Sequence, residues 1–510
     1  MTRNLKATII AITLFAALAV PVRLAAQDKA QEKSASHHHY KLIDMGTLGG
    51  PNSSVTEAAQ VVNAGGRFAG GADTVTPDPN PCILCGPFIT HAFQWENGVR
   101  TDLGALPGEN SSFALWISNS GISVGYSENG DIDPLLFGGI RLAHAVMWKG
   151  GHITDLGTLG GGYESVAFSV NSHGQVAGVT SNLVPDPFGP LGTQNRTFLW
   201  ENGVMTDLGT LGGPDAGLLG KDGTVEINER GQIVACSYTS STPNPSGIPT
   251  IDPFLWENGK ILDLGGFGGT NGCAIFLNNR GQVVGYSDLA GDTAFHPFLW
   301  DRDGLKDLGT LGGPNGSALW INEQGEVAGN AELDSPTGCA NPNCVVHGFL
   351  WKEGVMTDLG VVPGTVDSGA SSINSKTQIV GSSGISDVTT FHAYIWEKGS
   401  QADLNTLVSP QATLHLAQPS DINDRGEIAG FGFLPNGEER AFLLIPCDEA
   451  HPNIEGCDYS LVDADAAGEE SPNVRTNNPN AQVNGAQKNL LRNRLARRFG
   501  LPGQRPVPQN

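Results

Sequence analysis

The feature that most constrains the fold of this chain is a phrase that recurs eight times, HAFLW-ENGV-xx-DLGTLGG in its fullest form. Its aspartates are Asp44, Asp102, Asp155, Asp207, Asp263, Asp307, Asp358 and Asp403. A second phrase, IN-xx-GQVVG, lies inside each period, and its asparagines are Asn63, Asn171, Asn228, Asn278, Asn322, Asn374 and Asn423, with Ser118 in the second unit. Self-similarity at a period of about fifty residues indicates a repeat architecture.

Each phrase has the pattern of a β-hairpin. In FLWENGVMTDLG (198–209), Asn-Gly separates two apolar runs, which is the strongest short hairpin signal. In WINEQGEVAG (320–329), an Asn-x-x-Gly turn separates two runs of β-forming residues. Each period is therefore predicted to hold four short strands, named a (as in ALWIN), b (QVVGYS), c (HAFLW) and d (VMTDLG).

The order of these strands predicts how the array closes. Four strands in a repeat of about fifty residues are typical of a β-propeller blade. The array starts with a lone strand d at 40–46 and ends with a lone strand c at 441–445, so eight units are complete only if these two pair. Such pairing would close a ring and remove exposed sheet edges. The predicted fold is an all-β, eight-bladed propeller of four-stranded antiparallel blades; an open β-solenoid with capped ends is the alternative.

The segments outside the array are interpreted from composition. Residues 1–26 combine a basic start with an uninterrupted apolar run, which predicts a signal peptide, with an uncleaved membrane anchor as the alternative. Residues 27–39 are predicted to be a flexible lead-in. Residues 446–510 are acidic and then basic, and we expect them to be largely disordered. A short basic helix at 486–499 would dock on the acidic propeller or an anionic membrane, or stay solvated.

The net charge restricts the partners. The chain carries −23 at neutral pH, which argues against nucleic acid because phosphate binding rests on Lys and Arg. The charge favours solubility and cationic partners. No long apolar run follows the leader, so no membrane-spanning segment is predicted in the mature chain, which is expected to be a monomer. No cofactor is predicted; Ca²⁺ is compatible with the charge, but no calcium motif supports it.

Eight cysteines in a chain with an export signal favour disulfides. Three pairs are close in sequence and are each predicted to close a local loop: Cys82 with Cys85, Cys339 with Cys344, and Cys447 with Cys457. Zinc is the alternative for the CxxC-type spacing. Whether Cys236 and Cys273 pair is left open.

The most conspicuous side chains follow the repeat and are therefore predicted to be scaffold. The Asp of DLG is expected to cap backbone N–H groups of the next turn. Five histidines share one position before strand c and cannot converge on one metal ion: His91, His144, His296, His347 and His392. The strand c tryptophans are expected in the core between blades. Trp116 and Trp320 lie on strand a and would approach the central channel if that strand is innermost.

Function is predicted to reside on the face that carries the b–c loops, because variable loops on a rigid scaffold are where binding residues concentrate. The longest of these loops span 71–90, 127–143, 180–195, 239–251 and 331–346. The candidate binding residues are Asp78, Asp131, Asp133, Phe137, Asp186, Phe188 and Asp252.

No sequence motif for catalysis is recognised in the chain. The favoured function is a binding or scaffold module for a protein or a glycan. One alternative is a polysaccharide-active enzyme, which would need two loop carboxyls placed across a glycosidic bond. The other alternative is a structural cell-surface protein anchored by its basic tail.

The phrases HAFQW (91–95), FLWENGVMTDLGTLGG (198–213) and INERGQIV (227–234) resemble the bacterial extracellular repeat, HAF family, and the resemblance covers 40–445. It implies export to the extracellular space or periplasm and a β-repeat body. It implies no established activity and no catalytic residue. The chain departs from the pattern at single turns: Ala235, Thr377, Asn405 and Leu444.

Overall fold

A computed structural model describes residues 36–57, 59–79, 87–108, 110–134, 141–189, 192–217, 225–245, 247–334, 345–384 and 391–463. These residues form strands, one 3-10 turn at Leu404–Thr406, and no α-helix. The strands are β1 (Ser36–His38), β2 (Tyr40–Asp44), β3 (Gly49–Ser54), β4 (Phe68–Pro77), β5 (Phe88–Glu96), β6 (Val99–Gly104), β7 (Ser112–Ile117), β8 (Ser123–Ile132), β9 (Arg141–Lys149), β10 (His152–Gly157), β11 (Ser165–Val170), β12 (Val176–Pro185), β13 (Thr193–Glu201), β14 (Val204–Asp207), β15 (Glu226–Ile227), β16 (Ile233–Pro243), β17 (Pro249–Glu257), β18 (Lys260–Asp263), β19 (Gly268–Leu277), β20 (Val283–Leu289), β21 (Phe295–Asp301), β22 (Gly304–Asp307), β23 (Gly312–Ile321), β24 (Val327–Leu333), β25 (Val346–Lys352), β26 (Val355–Asp358), β27 (Asp367–Ile373), β28 (Ile379–Gly384), β29 (His392–Glu397), β30 (Ser400–Asp403), β31 (His415–Ile422), β32 (Ile428–Phe433), β33 (Glu439–Pro446) and β34 (Leu461–Asp463).

In the described residues these strands form eight four-stranded antiparallel blades. Blades 1 to 7 take consecutive sets of four, from β3–β6 to β27–β30. Blade 8 has the order β31-β32-β33-β2, so the start of the array completes its last blade. Leu42 lies opposite Leu444 in this closing pair. The eight-bladed propeller and its closure by the N-terminal strand are therefore confirmed. A single parallel bridge from Ile251 to Asn271 also joins blades 4 and 5.

The third residue of the HAFLW phrase lies in the core of each blade, and it is Val146 in blade 2 and aromatic in the others. Seven aromatic rings at this position have 0% exposed surface: Phe93, Phe198, Phe254, Phe298, Phe349, Tyr394 and Phe442. The ring requires the strand b glycine beside it. A Cβ on Gly178 would lie 2.1 Å from the Val166 carbonyl oxygen and 2.7 Å from the Phe198 ring. Blade 4 carries Ala235 here, beside a strand a that pairs over only two residues.

Asparagine side chains in the turns between strands a and b join blades to their neighbours. The Asn278 Oδ1 accepts the N–H groups of Arg280 and Gln282 at 3.0 and 3.1 Å. Its Nδ2 donates to Gln282 Oε1 at 2.9 Å and to the Asn322 carbonyl oxygen of the next blade at 3.0 Å. The buried amide thus uses both its donor and its acceptor groups fully.

The same bond crosses seven of the eight blade boundaries in the described residues. The donors and acceptors are Asn63 to Ser118, Asn171 to Asn228, Asn228 to Asn278, Asn278 to Asn322, Asn322 to Asn374, Asn374 to Asn423, and Asn423 to Asn63. The boundary from blade 2 to blade 3 differs, because the Ser118 hydroxyl is too short and instead accepts the N–H of Ile122 at 3.1 Å. We call this set the asparagine ring.

The blades also meet through pairs of complementary size, which change from boundary to boundary. Gly71 of blade 1 faces the Phe113 ring of blade 2, and a Cβ on this glycine would lie 2.3 Å from the ring. At the boundary of blades 3 and 4 the sizes are reversed, since Val179 faces Gly217 with 2.6 Å to a built Cβ. The repeats are nearly identical, but the pairs of residues between them differ. Each blade therefore packs better against its own neighbour in the chain than it would against a different blade.

The ordered chain extends beyond both predicted limits of the array. Ser36–His38 pairs antiparallel with Leu461–Asp463. His37 is fully buried, and its Nδ1 lies 3.1 Å from Glu397 Oε1. The structure thus describes 36–39 of the predicted lead-in and 446–463 of the predicted tail, and the rest of both segments lies outside the described residues. The predicted signal peptide and the helix at 486–499 lie outside the described residues.

The asparagine ring predicts opposite effects for two substitutions. Asn278→Ala leaves two N–H groups and one carbonyl unpaired in a buried site, so unfolding free energy should fall by about 2–4 kcal/mol. Ser118→Asn supplies the missing donor and should raise it by about 1 kcal/mol. Denaturant titration measures both, with Gln324→Ala, at an exposed position in the equivalent turn of blade 6, as the control. Equal losses for Asn278→Ala and Gln324→Ala would contradict the role of the ring.

Candidate functional site

The face that carries the b–c connections differs between the two halves of the ring. Strand b has 10, 10, 10 and 11 residues in blades 1 to 4 but 7, 7, 6 and 6 in blades 5 to 8. At about 3.3 Å per residue, three extra residues lengthen a strand by about 10 Å. Strands b and c of blades 1 to 4 therefore project as four hairpins, here called the tall hairpins.

The tall hairpins share one local structure. A side chain accepts the N–H two residues further on, from Thr74 in blade 1, Asn129 in blade 2, Asn182 in blade 3 and Ser240 in blade 4. Over the same residues, the pairing of strand b with strand c shifts register, as at a β-bulge. Two residues after the bonded N–H group, the chain reads Asp-Pro or Asn-Pro. This fourfold signal was present in the sequence, but it is weaker than the main repeat and was missed.

The tall hairpins expose large aliphatic side chains. The exposed fractions are 70% for Val75, 50% for Ile132, 47% for Leu183, 49% for Val184 and 41% for Ile248. These residues lie on four consecutive blades on one face. Exposed apolar side chains grouped in this way are typical of a protein-binding surface.

The structure separates the seven predicted binding residues and does not gather them into one pocket. Asp131 is exposed on the blade 2 hairpin, and Asp78 is half-buried on the blade 1 hairpin. Asp133 and Asp186 are each 2% exposed and occupy equivalent positions in their hairpins. Phe137 lies outside the described residues.

The two remaining candidates are half-buried. The Phe188 ring packs edge-on against Tyr238, with 6.2 Å between centroids. Asp252 lies on strand c of blade 4 beside Asp263, and burial together with the negative charge of Asp263 raises the pKa of Asp252 to about 6. Both side chains therefore contact the scaffold of blade 4.

The DLG aspartates cap the turns, as predicted. In all eight units the carboxylate accepts the N–H two residues on: Gly46, Gly104, Gly157, Gly209, Gly265, Gly309, Gly360 and Asn405. The five repeat histidines pair with these carboxylates, at Nδ1–O distances from 2.7 to 3.0 Å. These residues are scaffold at the outer edge of each blade.

Blade 4 breaks this pairing. Strand c presents a cationic or protonatable partner to the DLG aspartate in the other blades, since Arg196 and Arg440 lie 3.8 and 4.0 Å from theirs. In blade 4 that partner is replaced by Asp252, so two carboxylates face each other. Among the eight residues that face a DLG aspartate from strand c, Asp252 is therefore the one acidic residue.

Aromatic rings on strands a of blades 2, 5 and 6 meet one another across the ring. Trp320 stacks on Phe276 with 4.0 Å between centroids, and Trp116 lies 6.3 and 6.4 Å from these two rings. The expectation that Trp116 and Trp320 approach the channel is confirmed. Phe276 was missed because Phe at this position in the sequence is indistinguishable from a core residue.

Two disulfides lie in the described residues. Cys447 pairs with Cys457 as predicted, and Cys236 of blade 4 pairs with Cys273 of blade 5, with Cα–Cα distances of 5.5 and 4.9 Å. The other two predicted pairs lie outside the described residues. Within the described part of the chain, no three His, Cys, Asp or Glu side chains converge as metal ligands. No helix in that part is long and apolar enough to cross a membrane.

No family model and no curated protein matches the sequence. Several solved propeller structures are similar. The propeller domain of the Trilobed protease from Pyrococcus furiosus is 9% identical over 69% of this chain and 98% of that chain, with a TM-score of 0.38. Porphyromonas gingivalis dipeptidyl peptidase 4 is 11% identical over 76% and 60% of the two chains, with a TM-score of 0.43. TolB from Acinetobacter baumannii is 11% identical over 64% and 77%, with a TM-score of 0.31.

The exception in blade 4 can be repaired by substitution. In the Asp252→His variant, the new side chain should pair with Asp263 as His296 pairs with Asp307. This pair should raise the free energy of unfolding by about 1 kcal/mol near pH 6. Asp252→Asn removes only the repulsion and serves as the control. In the wild type, the raised pKa of Asp252 means that stability falls as pH rises from about 4 to about 6, and both variants should lose that slope. Thermal denaturation between pH 4 and 8 measures these effects; a less stable Asp252→His would contradict the pairing.

Proposed function

We propose that this chain is an exported binding propeller of the HAF repeat type that recognises a protein through the tall hairpins of blades 1 to 4. The observation that carries the proposal is the concentration of exposed aliphatic side chains on these hairpins, from Val75 at 70% to Ile248 at 41%. The disulfides are compatible with export, because disulfides persist in oxidising compartments.

The chemistry of the surface favours a protein over a glycan. The large exposed side chains described on the tall hairpins are aliphatic, whereas proteins hold sugars chiefly by stacking aromatic rings and by polar groups. The acidic charge of the chain further favours a neutral or basic partner that presents apolar side chains. Four hairpins on consecutive blades offer a broad surface of the kind that protein partners use.

The enzyme alternative has less support. The two loop-face carboxyls in contact, Asp186 and Asp215, are buried side by side. Glycoside hydrolases hold their carboxyls about 5 to 9 Å apart, on opposite sides of an accessible bond. The structural surface-protein alternative depends on the basic tail, which lies outside the described residues.

The proposal is tested by removing the apolar hairpin residues. A variant with Val75, Ile132, Leu183 and Val184 each changed to Ser should lose its partner in affinity capture from the exported protein fraction of the source organism. The matched control changes Val99, Val204, Leu262 and Val355 to Ser. These four are as exposed, at 64%, 62%, 49% and 63%, but they lie on strand d near the opposite face.

Capture of the same protein by the wild type and the control variant, but not by the hairpin variant, is the expected result, with a loss of at least about tenfold in affinity. Equal capture by both variants would overturn the proposal. Binding of both variants to a glycan array, with no protein captured, would favour the glycan alternative instead.

A further inference from the structure

Two buried aspartates connect the blade 3 hairpin to blade 4. Asp186 lies in the hairpin, and Asp215 lies in the link that leads into strand a of blade 4. Their carboxyl groups lie close enough to interact, and the Oδ2 atom of each is buried without a donor in the described structure. Their exposed fractions are 2% and 0%. The contact therefore joins two neighbouring blades in a buried site.

Each carboxyl uses one oxygen for the fold and directs the other to the pair. Asp186 Oδ1 accepts the N–H of Phe188 at 3.1 Å, which shapes the hairpin turn. Asp215 Oδ1 accepts the N–H of Asn195 at 2.8 Å, which attaches the link to strand c of blade 3. The Oδ2 atoms of both residues are buried and have no N–H or hydroxyl donor in the described structure.

A hydrogen bond between two carboxyls requires a proton, because ionised carboxylates only accept. Two negative charges in contact in a dry site are also strongly unfavourable. We propose that Asp186 and Asp215 form a proton-dependent joint, which holds the blade 3 hairpin against blade 4 while they share a proton and releases it when both are ionised.

The surroundings of the joint support this reading. Burial is the main cause that raises the pKa of Asp215, to about 8, and Asp186 raises it further. Arg196 on strand c of blade 3 lowers that pKa, but its guanidinium also hydrogen-bonds Gln194. Tyr238 on strand b of blade 4 has its own pKa raised by burial and by the two aspartates, so it stays neutral.

The sign of the pH dependence follows from the raised pKa. The unfolded Asp215 ionises near its ordinary value, so the stability contributed by the protonated joint is complete below about pH 4. It is lost progressively as pH rises to about 8, where the folded pair gives up its proton. Above that pH, the ionised carboxylates of Asp186 and Asp215 repel each other. Only the other contacts of the hairpin, such as Phe188 against Tyr238, then hold it in place.

The molecule contains its own control. The blade 4 hairpin carries Asn244 at the position of Asp186, and its N–H makes the equivalent backbone bond, to Ile248 at 2.8 Å. The corresponding bond in blade 3 runs from the Asp186 N–H to the Gly192 carbonyl at 2.9 Å. The blade 3 and blade 4 hairpins thus share a backbone structure. They differ in that the blade 3 hairpin has a titratable side chain, Asp186, at the position where the blade 4 hairpin has Asn244.

Hydrogen exchange of the full-length chain tests the proposal without a ligand, so it stands or fails separately from the binding function. After correction for intrinsic rates, peptides covering 182–193 should lose at least about tenfold protection between pH 6 and pH 9, while those covering 240–249 should not. Asp186→Asn can donate its amide N–H to the ionised Asp215, so this variant should stay protected at both pH values.

Equal protection of 182–193 at both pH values in the wild type would overturn the proposal, as would the same loss in Asp186→Asn. The denaturation midpoint gives a second measurement if exchange in the variant is altered throughout. The fall in the wild-type midpoint between pH 6 and pH 9 should be larger than in Asp186→Asn. Parallel curves would contradict the joint.

Discussion

The hydrogen bond from a buried asparagine amide to the backbone carbonyl of the next blade is the contact on which this ring depends. Each blade is a single four-stranded sheet that is too small to be stable alone, so it must be fixed to its neighbours. One side chain does this in the asparagine ring while it also shapes its own turn, as at Asn278. Because every hydrogen-bonding group of the amide is satisfied, the buried polar group stabilises the ring instead of weakening it.

Around this inner ring, the outer edge of each blade uses a second repeated device. The DLG aspartate caps its turn and binds a histidine or arginine of strand c, so the carboxylate is neutralised as well as hydrogen-bonded. The b–c connections belong to neither device and are therefore free to vary. The tall hairpins of blades 1 to 4 grow from this rigid base, which explains how apolar side chains such as Leu183 can be held in solvent.

The repeat made much of the fold predictable. The lone strands at the two ends of the array required closure between Leu42 and Leu444, and the turn pattern required the capping role of the DLG aspartates. The candidate site was harder to predict. Asp186 was selected because it lies in a long loop, but membership of a loop does not show whether a side chain faces solvent. Its burial depends on the link to blade 4, which packs beside the blade 3 hairpin.

The sequence by itself determined the number of blades, the order of strands and the place of closure, because each follows from local hairpin signals repeated at a fixed period. It also determined which residues are scaffold, since a side chain that recurs eight times cannot converge on one point. Only the tertiary structure decided which side chains meet across blades. Asn423 with Asn63, Trp116 with Phe276, and Asp186 with Asp215 belong to different units, and no spacing along the chain records the distance between them. The packing of blades against one another and the closure of the ring bring these residues together.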